Sequence, residues 1–576
     1  MRSFLARRGP HVAAAAFGLG VFLAVGGGKI VPPGNVAWIP PGSDWGYQWV
    51  AWLYFRHAPW ALPLGAIPGL FHPAGLTLAN ADGLPWFATL AKLLSPILPE
   101  PCQTLGVWLA LCFVLAGWFG ARLAACFTRS PVGVAAGGAL FAVAPVLLNR
   151  LKHPALCAHF VLLWGILLVV DGGDGGRREQ RAPLAAPILL PAFVLGIHPY
   201  LALMTLGLVA ASLARHAWER RLGWKGLVVR VGGALVALVG VAALLGYFDL
   251  PADDVIGAGF GHYNAELFSL VNPQGSSRLL PDLRIRGGQP EGFGFLGLGV
   301  LALGASAAAV HVVAWRRKEA PPLPWRRGVP LVVVAAIFFV FALATNVSFL
   351  GRDVIDLSFL YRPFGRLAGS LRSSGRFVWV PVYVLTTAAA AIWLVRRPRL
   401  GPWVVLAAVA VQLADARGTF FAGRFRDPRP PPAASPTWEL AAGAFLHLAL
   451  YPPRCGDGSW VCCQGFTPPP RHEDMYLAAR AERLGLTYNG FGAGRVARTR
   501  LRRYCADLQA DVAAGRLDPA TIYLVGKDRE AEFRRANPAA PCGGLDGELA
   551  CVSPLARGAF AERLSAPPAP PPSPGR

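Results

Sequence analysis

Long apolar runs separated by short basic loops dominate the first 416 residues. Runs long enough, or nearly long enough, to cross the bilayer begin at His11, Leu105, Val132, Ala155, Pro183, Tyr200, Leu227, Phe293, Val329, Phe377 and Leu400. Because the hydrocarbon core is about 30 Å thick, this pattern predicts about eleven membrane-spanning helices.

The basic residues between these runs set the expected orientation. They cluster at Arg2, Arg7 and Arg8; Arg122 and Arg129; Arg177, Arg178 and Arg181; Arg215, Arg220, Arg221 and Lys225; Arg316, Arg317, Lys318, Arg326 and Arg327; and Arg396, Arg397 and Arg399. An odd number of spans puts every cluster on one face, which the positive-inside rule makes cytoplasmic. We therefore expect the N-terminus inside and the segment after Asp415 outside, in the periplasm or extracellular space.

Three segments test the topology. Residues 84–98, LPWFATLAKLLSPIL, are short and contain Lys92, so we expect an interfacial or re-entrant helix there. The run from Pro183 to Ala214 breaks at His198-Pro199, and its Arg-rich flanks favour two crossings over one. The N-terminal MRSFLARR resembles the start of a signal peptide. No small-x-small cleavage site follows it, so we expect an uncleaved first span.

The character of the chain changes after Asp415. A Pro-rich linker is expected at 417–435, an α/β module at 436–564 and a disordered tail at 565–576. Within the module, LHLALYPP and ATIYLVG predict strands, whereas DMYLAARAERLGL and RTRLRRYCADLQADVAAG predict amphipathic helices. The apolar face of the second helix consists of Leu501, Tyr504, Cys505, Leu508 and Val512.

Composition agrees with a membrane protein. Apolar residues make up 54% of the chain, charged residues 15%, and the mean hydropathy is +0.43. The net charge of +23 would suit a nucleic-acid partner, but the basic residues lie in short loops between apolar runs, so none is expected. The abundance of Ala, Gly, Arg and Pro indicates a GC-rich bacterial genome. The predicted fold is an all-α polytopic transmembrane bundle in a bacterial inner membrane, spanning residues 1–416 with a long outward loop at 30–103, followed by the extracytoplasmic module.

The cysteines fall into two groups. Cys102, Cys112, Cys126 and Cys157 lie in the membrane region and are expected to be small buried hydrophobes. The module contains Cys455, Cys462, Cys463, Cys505, Cys542 and Cys551 without a CxxC pair. Disulfides formed in an oxidising compartment therefore fit better than a zinc site. The adjacent Cys462 and Cys463 should then have separate partners.

Two outward carboxylates are candidates for catalysis. Asp44, in GSDWGYQW, follows the first apolar run, where a carboxylate is costly unless it is solvated, paired or used. It is a candidate base, with a helix N-cap before Trp45 as the alternative. Asp82, in ADGLPW, is the second carboxylate; it could orient the base, hold a divalent metal, or simply make a turn with Gly83.

These motifs carry a resemblance. GSDWGYQW, ADGLPWFATLAKLLSPILP, FSLVNPQGSSRLLPDL, GQPEGFGFLGLG and LRSSGRFVWVPVY are similar to an uncharacterised bacterial family that resembles the GT-C membrane glycosyltransferases. The resemblance implies inverting transfer of a sugar from a polyprenyl-phosphate donor to an envelope glycan, lipid or protein acceptor at the outer face of the membrane. It implies no required cofactor, with a divalent metal as an option.

This chemistry assigns expected roles to further outward residues. The departing phosphate needs cationic donors, for which Arg offers a rigid fork. The candidates are Arg278, Arg372 and Arg376, although each could instead contact membrane lipid. Candidate substrate-binding residues are His153, His198, Tyr200, Asn272, Gln274, Gln289 and Glu291, with a structural role as the alternative for His153 and His198 before proline and for Glu291 in a turn.

Two other interpretations of the sequence compete with this one. GFGAGR, ending at Arg495, resembles a phosphate loop but follows a predicted helix rather than a strand, which argues against a nucleotide site. A transporter or a non-catalytic scaffold for envelope polysaccharide assembly is the alternative function. A transporter should show internal repeats and ionisable residues near mid-membrane, whereas the notable charges here lie at span ends.

Overall fold

The computed structural model describes residues 2–170, 184–255, 259–317, 325–416, 425, 434–456, 463, 471 and 474–566. Its α-helices are α1 (Arg2–Ala24), α2 (Asp44–His57), α3 (Pro85–Leu93), α4 (Leu105–Ala125), α5 (Pro131–Ala142), α6 (Pro145–Asn149), α7 (Phe160–Val170), α8 (Ala185–Leu195), α9 (Pro199–Trp218), α10 (Trp224–Leu245), α11 (Ala252–Val255), α12 (Leu298–Arg316), α13 (Trp325–Leu343), α14 (Ser358–Tyr361), α15 (Gly365–Ser370), α16 (Trp379–Arg396), α17 (Gly401–Asp415), α18 (Asp474–Arg483), α19 (Arg498–Ala513), α20 (Glu530–Ala536) and α21 (Ala559–Ser565). Its strands are β1 (Ala66–Ile67), β2 (Leu76–Thr77), β3 (Asn346–Phe349), β4 (Arg352–Asp356), β5 (His447–Tyr451), β6 (Cys455–Gly456), β7 (Thr487–Tyr488), β8 (Phe491–Gly492), β9 (Thr521–Val525), β10 (Cys542–Leu545) and β11 (Glu548–Val552).

The chain divides into two compact units. Unit 1 consists of Met1–Trp38, Pro99–Ala242 and Ile256–Arg426, and unit 2 of Ile39–Leu98, Ala243–Val255 and Asp427–Arg576. Most of the first outward loop, expected at 30–103 within the membrane domain, thus packs with the C-terminal module in unit 2. The sequence divided the domains in chain order, whereas the compact units are formed by contacts between segments that are distant in the sequence.

Apolar helices lie at the predicted membrane positions. In the described part of the chain, six helical segments are long and apolar enough to cross a membrane: Leu105–Ala125, Pro131–Lys152, Pro199–Trp218, Trp224–Leu245, Leu298–Arg316 and Ser374–Arg396. Shorter apolar helices are Pro154–Val170, Ala185–Leu195, Gly328–Leu343 and Gly401–Asp415. The protein is therefore a multi-pass helical membrane protein, while the count of eleven spans stays a prediction.

Small residues bring the first helices of unit 1 into close contact. α1 packs against α4 and α5, with Ala14, Ala121 and Val134 buried between them. A Cβ added to Gly117 of α4 would collide with the carbonyl oxygen of Ala14, and one added to Gly18 with that of Phe113. Glycine is required at both positions because the helix backbones touch there.

Two of the segments that test the topology form defined helices, while their placement in the membrane stays a prediction. The segment after Pro183 forms two helices, α8 and α9, separated at His198, which caps α9 by accepting a hydrogen bond from the Tyr200 amide. The run at 84–98 forms only the nine-residue α3 and a short 3-10 turn. Its Leu90, Leu93, Leu94 and Ile97 side chains are exposed, as expected for an interfacial helix.

A five-stranded sheet forms the centre of the C-terminal module. The strand order is β10-β11-β9-β5-β7, with β5 parallel to β7 and β9, and the β9-β11-β10 part antiparallel. The predicted strands and amphipathic helices correspond to β5, β9, α18 and α19. Leu508 and Val512 of α19 and Phe533 of α20 pack with Ala449, Tyr451, Tyr523, Val525, Leu549 and Cys551 on one face of the sheet.

The cysteine predictions are confirmed for two disulfides and for three of the four cysteines in the membrane region. Cys463 is bonded to Cys505, and Cys542 to Cys551. Cys462 lies outside the described residues, as do Arg177, Arg178, Arg181, Lys318, most of the linker predicted at 417–435 and the tail beyond 566. Of the four cysteines in the membrane region, Cys102, Cys112 and Cys157 are buried as expected, whereas Cys126 is exposed.

Candidate functional site

Asp44 opens the first helix of unit 2. Ser43, not Asp44, is the N-cap of α2: its hydroxyl oxygen accepts a hydrogen bond of 3.2 Å from the Gly46 amide. The alternative interpretation of Asp44 as the capping residue is therefore wrong. Asp44 occupies the first turn, where the helix dipole favours a carboxylate, and its side chain is partly exposed.

Tyr47 lies one turn further along the same helix. Its ring contacts the ring of Phe491 edge to face, with centroids 5.1 Å apart. Burial raises the pKa of the Tyr47 hydroxyl, and the carboxylates of Asp44 and Asp474 raise that pKa further. The start of α2 is thus an acidic surface held against a segment of the C-terminal module within unit 2.

Asp82 lies in a strained turn before α3. Asp82 and Leu84 both adopt positive φ angles, 52° and 55°, a left-handed region that Gly, Asn and Asp tolerate and that a residue such as Leu rarely occupies. The turn is held by a 2.9 Å hydrogen bond from the Asn80 side chain to the Thr77 hydroxyl and by one from the Gly83 amide to the Leu78 carbonyl. Strain of this kind persists only where the surrounding structure enforces it.

Two residues that sequence reasoning missed lie near Asp82. Burial raises the pKa of the Tyr247 hydroxyl; the Asp82 carboxylate raises it further, and the Arg495 guanidinium partly opposes the rise. The Arg495 amide also donates a 2.9 Å hydrogen bond to the Asn80 carbonyl. Nothing in the local sequence indicates these partners, because they come from the end of α10 and from the C-terminal segment.

The option of a divalent metal at Asp82 stays a prediction. No group of three or more His, Cys, Asp or Glu side chains suited to a metal ion occurs within the described residues. The Asp82 carboxylate and the Arg495 guanidinium shift the pKa of Tyr247 in opposite directions. The reaction proposed below is written without a metal.

Unit 1 contains a second cluster, formed around Glu291. Arg150 donates to the Glu291 carboxylate at 3.0 Å and to its main-chain carbonyl at 2.8 Å, and Arg376 Nε donates to the same carboxylate at 2.9 Å. The Nε2 atom of His153 lies 3.9 Å from the other carboxylate oxygen. We name these four residues the Glu291 cluster. Its two arginines lie at the ends of two candidate spans, where charge is tolerated better than at mid-membrane.

The Glu291 cluster is cationic and partly accessible. Burial alone would raise the pKa of Glu291, but Arg376, Arg150 and His153 together hold that pKa well below its ordinary value. Glu291 is thus ionised. The two arginines carry two positive charges against its one negative charge, so one net positive charge remains. The Arg150 side chain is 1% exposed and that of Arg376 is 11% exposed, so Arg376 is the less deeply buried of the two.

Aromatic side chains orient the guanidinium groups. Arg376 lies 5.0 Å from the centroid of the Tyr200 ring, and Arg150 lies 5.1 Å from that of Trp379. The Tyr200 hydroxyl accepts a 2.8 Å hydrogen bond from the Ser373 amide, which fixes the loop before Arg376. The structure thus brings His153, Tyr200, Glu291 and Arg376 together from four predicted outward segments.

The other two arginines lie apart from these contacts. Arg372 is partly exposed and lies 5.8 Å from the Tyr263 ring. Arg278 has an exposed side chain on a loop whose main chain is held by Asp415: the Arg278 amide donates to the Asp415 carbonyl at 2.8 Å and to its carboxylate at 3.2 Å. The three predicted phosphate ligands therefore occupy different surroundings.

Three of the predicted substrate ligands have side chains engaged with the protein itself. Asn272 is fully buried and exchanges hydrogen bonds with the main chain of Leu283, and its side-chain oxygen also accepts from the Gln274 amide. Gln289 is fully buried and bonded to Asn264, Ser348 and the Arg286 amide. With His198 acting as a helix cap, these side chains support the outward loops.

The GFGAGR segment also differs from expectation. The short strand β7 separates it from the preceding helix, so it lies between a strand and α19. The argument that it follows a helix is therefore wrong, because a two-residue strand leaves no pattern in the sequence. The side-chain carboxylate of Asp254 accepts hydrogen bonds from the Thr499 amide and hydroxyl, both at 3.3 Å, and so occupies the N-terminus of α19 where a phosphate would bind.

Comparison with solved structures gives matches at low identity. The chain is similar to the arabinofuranosyltransferase AftD from Mycobacteria, with 14% identity and a TM-score of 0.47, over 93% of this chain and 37% of AftD. It is also similar to the Archaeoglobus fulgidus oligosaccharyltransferase tethered with an acceptor peptide, with 12% identity and a TM-score of 0.34, over 94% of this chain and 73% of that enzyme. A third match is AglB from the same organism in complex with an inhibitory peptide and a dolichol-phosphate, with 13% identity and a TM-score of 0.34, over 91% and 70% of the two chains.

The chain spans little more than a third of the length of AftD, 37%. No curated protein matches the sequence.

Two family profiles match the sequence itself. Residues 15–417 match a domain of unknown function, DUF6311, and residues 437–553 match the DUF6311 C-terminal domain. The gap between the two matches falls at the Pro-rich stretch. Because the two matches together cover most of the chain, the protein belongs to the DUF6311 family.

Proposed function

We propose that this protein is an inverting membrane glycosyltransferase that transfers a sugar from a polyprenyl-phosphate donor to an acceptor of the bacterial cell envelope. The observation that carries the proposal is the pair of partly exposed carboxylates in unit 2. Asp44 and Asp82 are distant in sequence, yet both lie beside the same C-terminal segment through Tyr47 and Gly494. Outward carboxylates held in this way suit a base and a second acidic group.

The proposed reaction needs one proton acceptor. An acceptor hydroxyl attacks the anomeric carbon of the donor sugar, the bond from that carbon to the phosphate oxygen breaks, and the hydroxyl proton passes to the Asp44 carboxylate. The leaving group departs as polyprenyl phosphate, which carries away the electron pair. General-base assistance of this type contributes about 10²–10⁴-fold to the rate. Asp82 is assigned the orientation of the acceptor.

The departing phosphate needs cationic stabilisation. In unit 1 the Glu291 cluster holds Arg376 rigidly between a carboxylate and the Tyr200 ring, with a net positive charge. A preorganised guanidinium stabilises developing negative charge without reorganisation cost at the moment of reaction. Within unit 1, Arg376 is our first candidate for binding a lipid phosphate, with Arg372 as the second.

The proposal requires both groups on the outer face of the membrane. The disulfides Cys463–Cys505 and Cys542–Cys551 support export of unit 2, because such bonds persist in oxidising compartments. Periplasmic and cytoplasmic reporters fused after Ser565 measure the orientation. We expect activity only from the periplasmic reporter; activity only from the cytoplasmic one would contradict the orientation and with it the reaction.

Deletion of the gene followed by mass spectrometry of envelope glycans and glycolipids tests the function. We expect loss of one or more sugar residues, restored by the wild-type protein and not by Asp44→Asn at equal abundance. The matched control is Asp507→Asn, which alters an exposed carboxylate of α19 in the same unit. Restoration by Asp44→Asn would contradict catalysis and favour a scaffold, and an unchanged envelope in the deletion strain would contradict a role in glycosylation.

A further inference from the structure

The C-terminal module contributes a loop to the surroundings of Asp82. This loop, residues 489–496 with the sequence NGFGAGRV, is called the glycine loop below. Its first residue, Asn489, is buried and pins the loop to β5: the side chain accepts a 2.8 Å hydrogen bond from the Leu450 amide and donates one of 3.1 Å to the Leu450 carbonyl. A loop anchored in this way can hold a fixed position against its neighbours.

Glycines allow the loop backbone to reach both candidate carboxylate segments. A Cβ added to Gly492 would lie 2.5 Å from a ring carbon of Tyr47. One added to Gly494 would lie 2.7 Å from Asp82 Oδ2 and 3.0 Å from the Asn80 carbonyl oxygen. A Cβ at either glycine would therefore collide with a neighbouring atom. At Gly494 the absence of a side chain is therefore what permits contact with the Asp82 carboxylate.

Backbone strain occurs on both sides of this contact. Asp82 has a φ of 52°, and Phe491, one residue before Gly492, has a φ of 105°. Phe491 is held in this conformation by a 2.8 Å hydrogen bond from its amide to the Arg454 carbonyl and by pairing of β8 with β6. Strained backbone costs free energy and is found preferentially at functional sites. Its occurrence in both contacting segments points to a function for the contact.

Arg495 connects the glycine loop to two neighbouring segments. Its amide donates to the Asn80 carbonyl at 2.9 Å, and its guanidinium donates to the Val255 carbonyl. The loop therefore bridges the turn that carries Asp82 and the segment after α10. Because the main chain of Arg495 is tied to Asn80, a shift of the loop moves the Asp82 turn with it.

We propose that Gly494 and Arg495 are positioning residues that hold the Asp82 carboxylate in the orientation needed for transfer, which makes the C-terminal module part of the reaction machinery. Gly494 sets how closely the loop approaches Asp82, and Arg495 fixes the turn through the hydrogen bond from its amide to the Asn80 carbonyl. The inference rests on the proposed glycosyl transfer, in which Asp82 orients the acceptor.

The contact itself can be tested without any activity. Gly494→Ala should lower the melting temperature of the purified protein, because the new methyl group meets the carboxylate. In an Asp82→Gly background the same change should cost much less, since glycine accommodates the positive φ and removes the colliding atoms. Equal losses in the two backgrounds would contradict the contact. Gly544→Ala is the matched control, because a Cβ at Gly544 meets nothing within 4 Å.

The positioning role is tested by restoration of the deletion strain's glycan, measured per amount of protein. We expect Gly494→Ala and Arg495→Ala to reduce restoration by about 10²-fold, the scale of a misplacement near 1 Å, and Arg495→Lys to recover part of it. Gly544→Ala should restore fully.

The two possible failures are distinguishable. Full restoration by Gly494→Ala and Arg495→Ala, in a strain whose deletion does alter the glycan, would overturn the positioning role alone. Loss with Arg495→Lys as large as with Arg495→Ala, together with equal loss of melting temperature, would also overturn it in favour of a purely structural role. An unaltered glycan in the deletion strain would overturn the proposed function and this inference with it.

Discussion

The carboxylates of the two units differ in how the protein treats their charge. In unit 1, Glu291 is bound by Arg150 and Arg376 and is neighbour to His153. In unit 2, Asp44 and Asp82 are partly exposed, at a helix start and in a strained turn. The first arrangement fixes two cations in place, whereas the second keeps two carboxylates partly exposed, Asp44 in a regular first helical turn and Asp82 in a turn with positive φ angles. We therefore expect mutations of Glu291 to act mainly on stability and those of Asp44 mainly on activity.

The largest expected effect is that of Asp44→Asn on transfer. Asn keeps the shape and most of the hydrogen bonding of Asp but accepts no proton, so product formation should fall by about 10²–10⁴-fold. Stability should change little, because Ser43 rather than Asp44 caps α2. Glycan restoration and the melting temperature of the same protein preparation measure the two effects. A large fall in the melting temperature of Asp44→Asn would contradict the expectation that Asp44 acts mainly on activity and Glu291 mainly on stability.

Glu291→Gln should show the opposite balance. Removing the charge leaves Arg150 and Arg376 as neighbouring buried cations, and loss of one partner of a buried pair costs about 3–5 kcal/mol. The melting temperature in detergent should fall clearly. Glu439→Gln is the control, since Glu439 pairs with Arg483 on an exposed surface and its replacement should have little effect. Equal melting temperatures for the two variants would show that the Glu291 cluster contributes no stability.

The three arginines can be ranked by their surroundings. Arg376→Ala should weaken binding of polyprenyl phosphate to the purified protein in nanodiscs by about tenfold, the equivalent of one charge-assisted hydrogen bond. Arg372→Ala should weaken it less, and Arg278→Ala least, because Arg278 extends from a loop held by its main chain. Arg376→Lys is the control, because it keeps the positive charge and removes only the guanidinium group. The reverse order would place the phosphate away from the Glu291 cluster.

The smallest expected effect concerns pH and a histidine pair in unit 2. The rings of His72 and His447 stack with centroids 4.5 Å apart. Burial, and then the neighbouring His447, lower the pKa of His72. The folded state therefore binds a proton less readily than the unfolded state, so this stability is fully present above the unfolded pKa of about 6.5 and is lost as pH falls through the lower folded value. The melting temperature of the wild-type protein should drop between pH 7 and 5, and that drop should be smaller for His72→Gln. An equal drop in the two proteins would contradict the role of His72.

The sequence predicted much of the architecture because apolar periodicity depends on neighbouring residues. The helices, the break at His198 and the strands β5 and β9 all follow from local patterns. The Asp44 motif was also recognisable, since a carboxylate beside a span is unusual in any context. Polarity alone could not separate ligands from scaffold, however: Asn272 and Gln289 proved to be fully buried supports of their own loops.

The remaining features depend on contacts between distant segments. Arg150 was missed because its partner, Glu291, is far along the chain, and Arg495 because a glycine-rich segment says nothing about what it approaches. The sequence by itself determined that this is a multi-pass helical membrane protein with a C-terminal α/β module, since hydropathy and periodicity are properties of consecutive residues. Only the tertiary structure decided which carboxylate is held between cations and which are left accessible, because burial and electrostatic pairing depend on the residues that folding brings together.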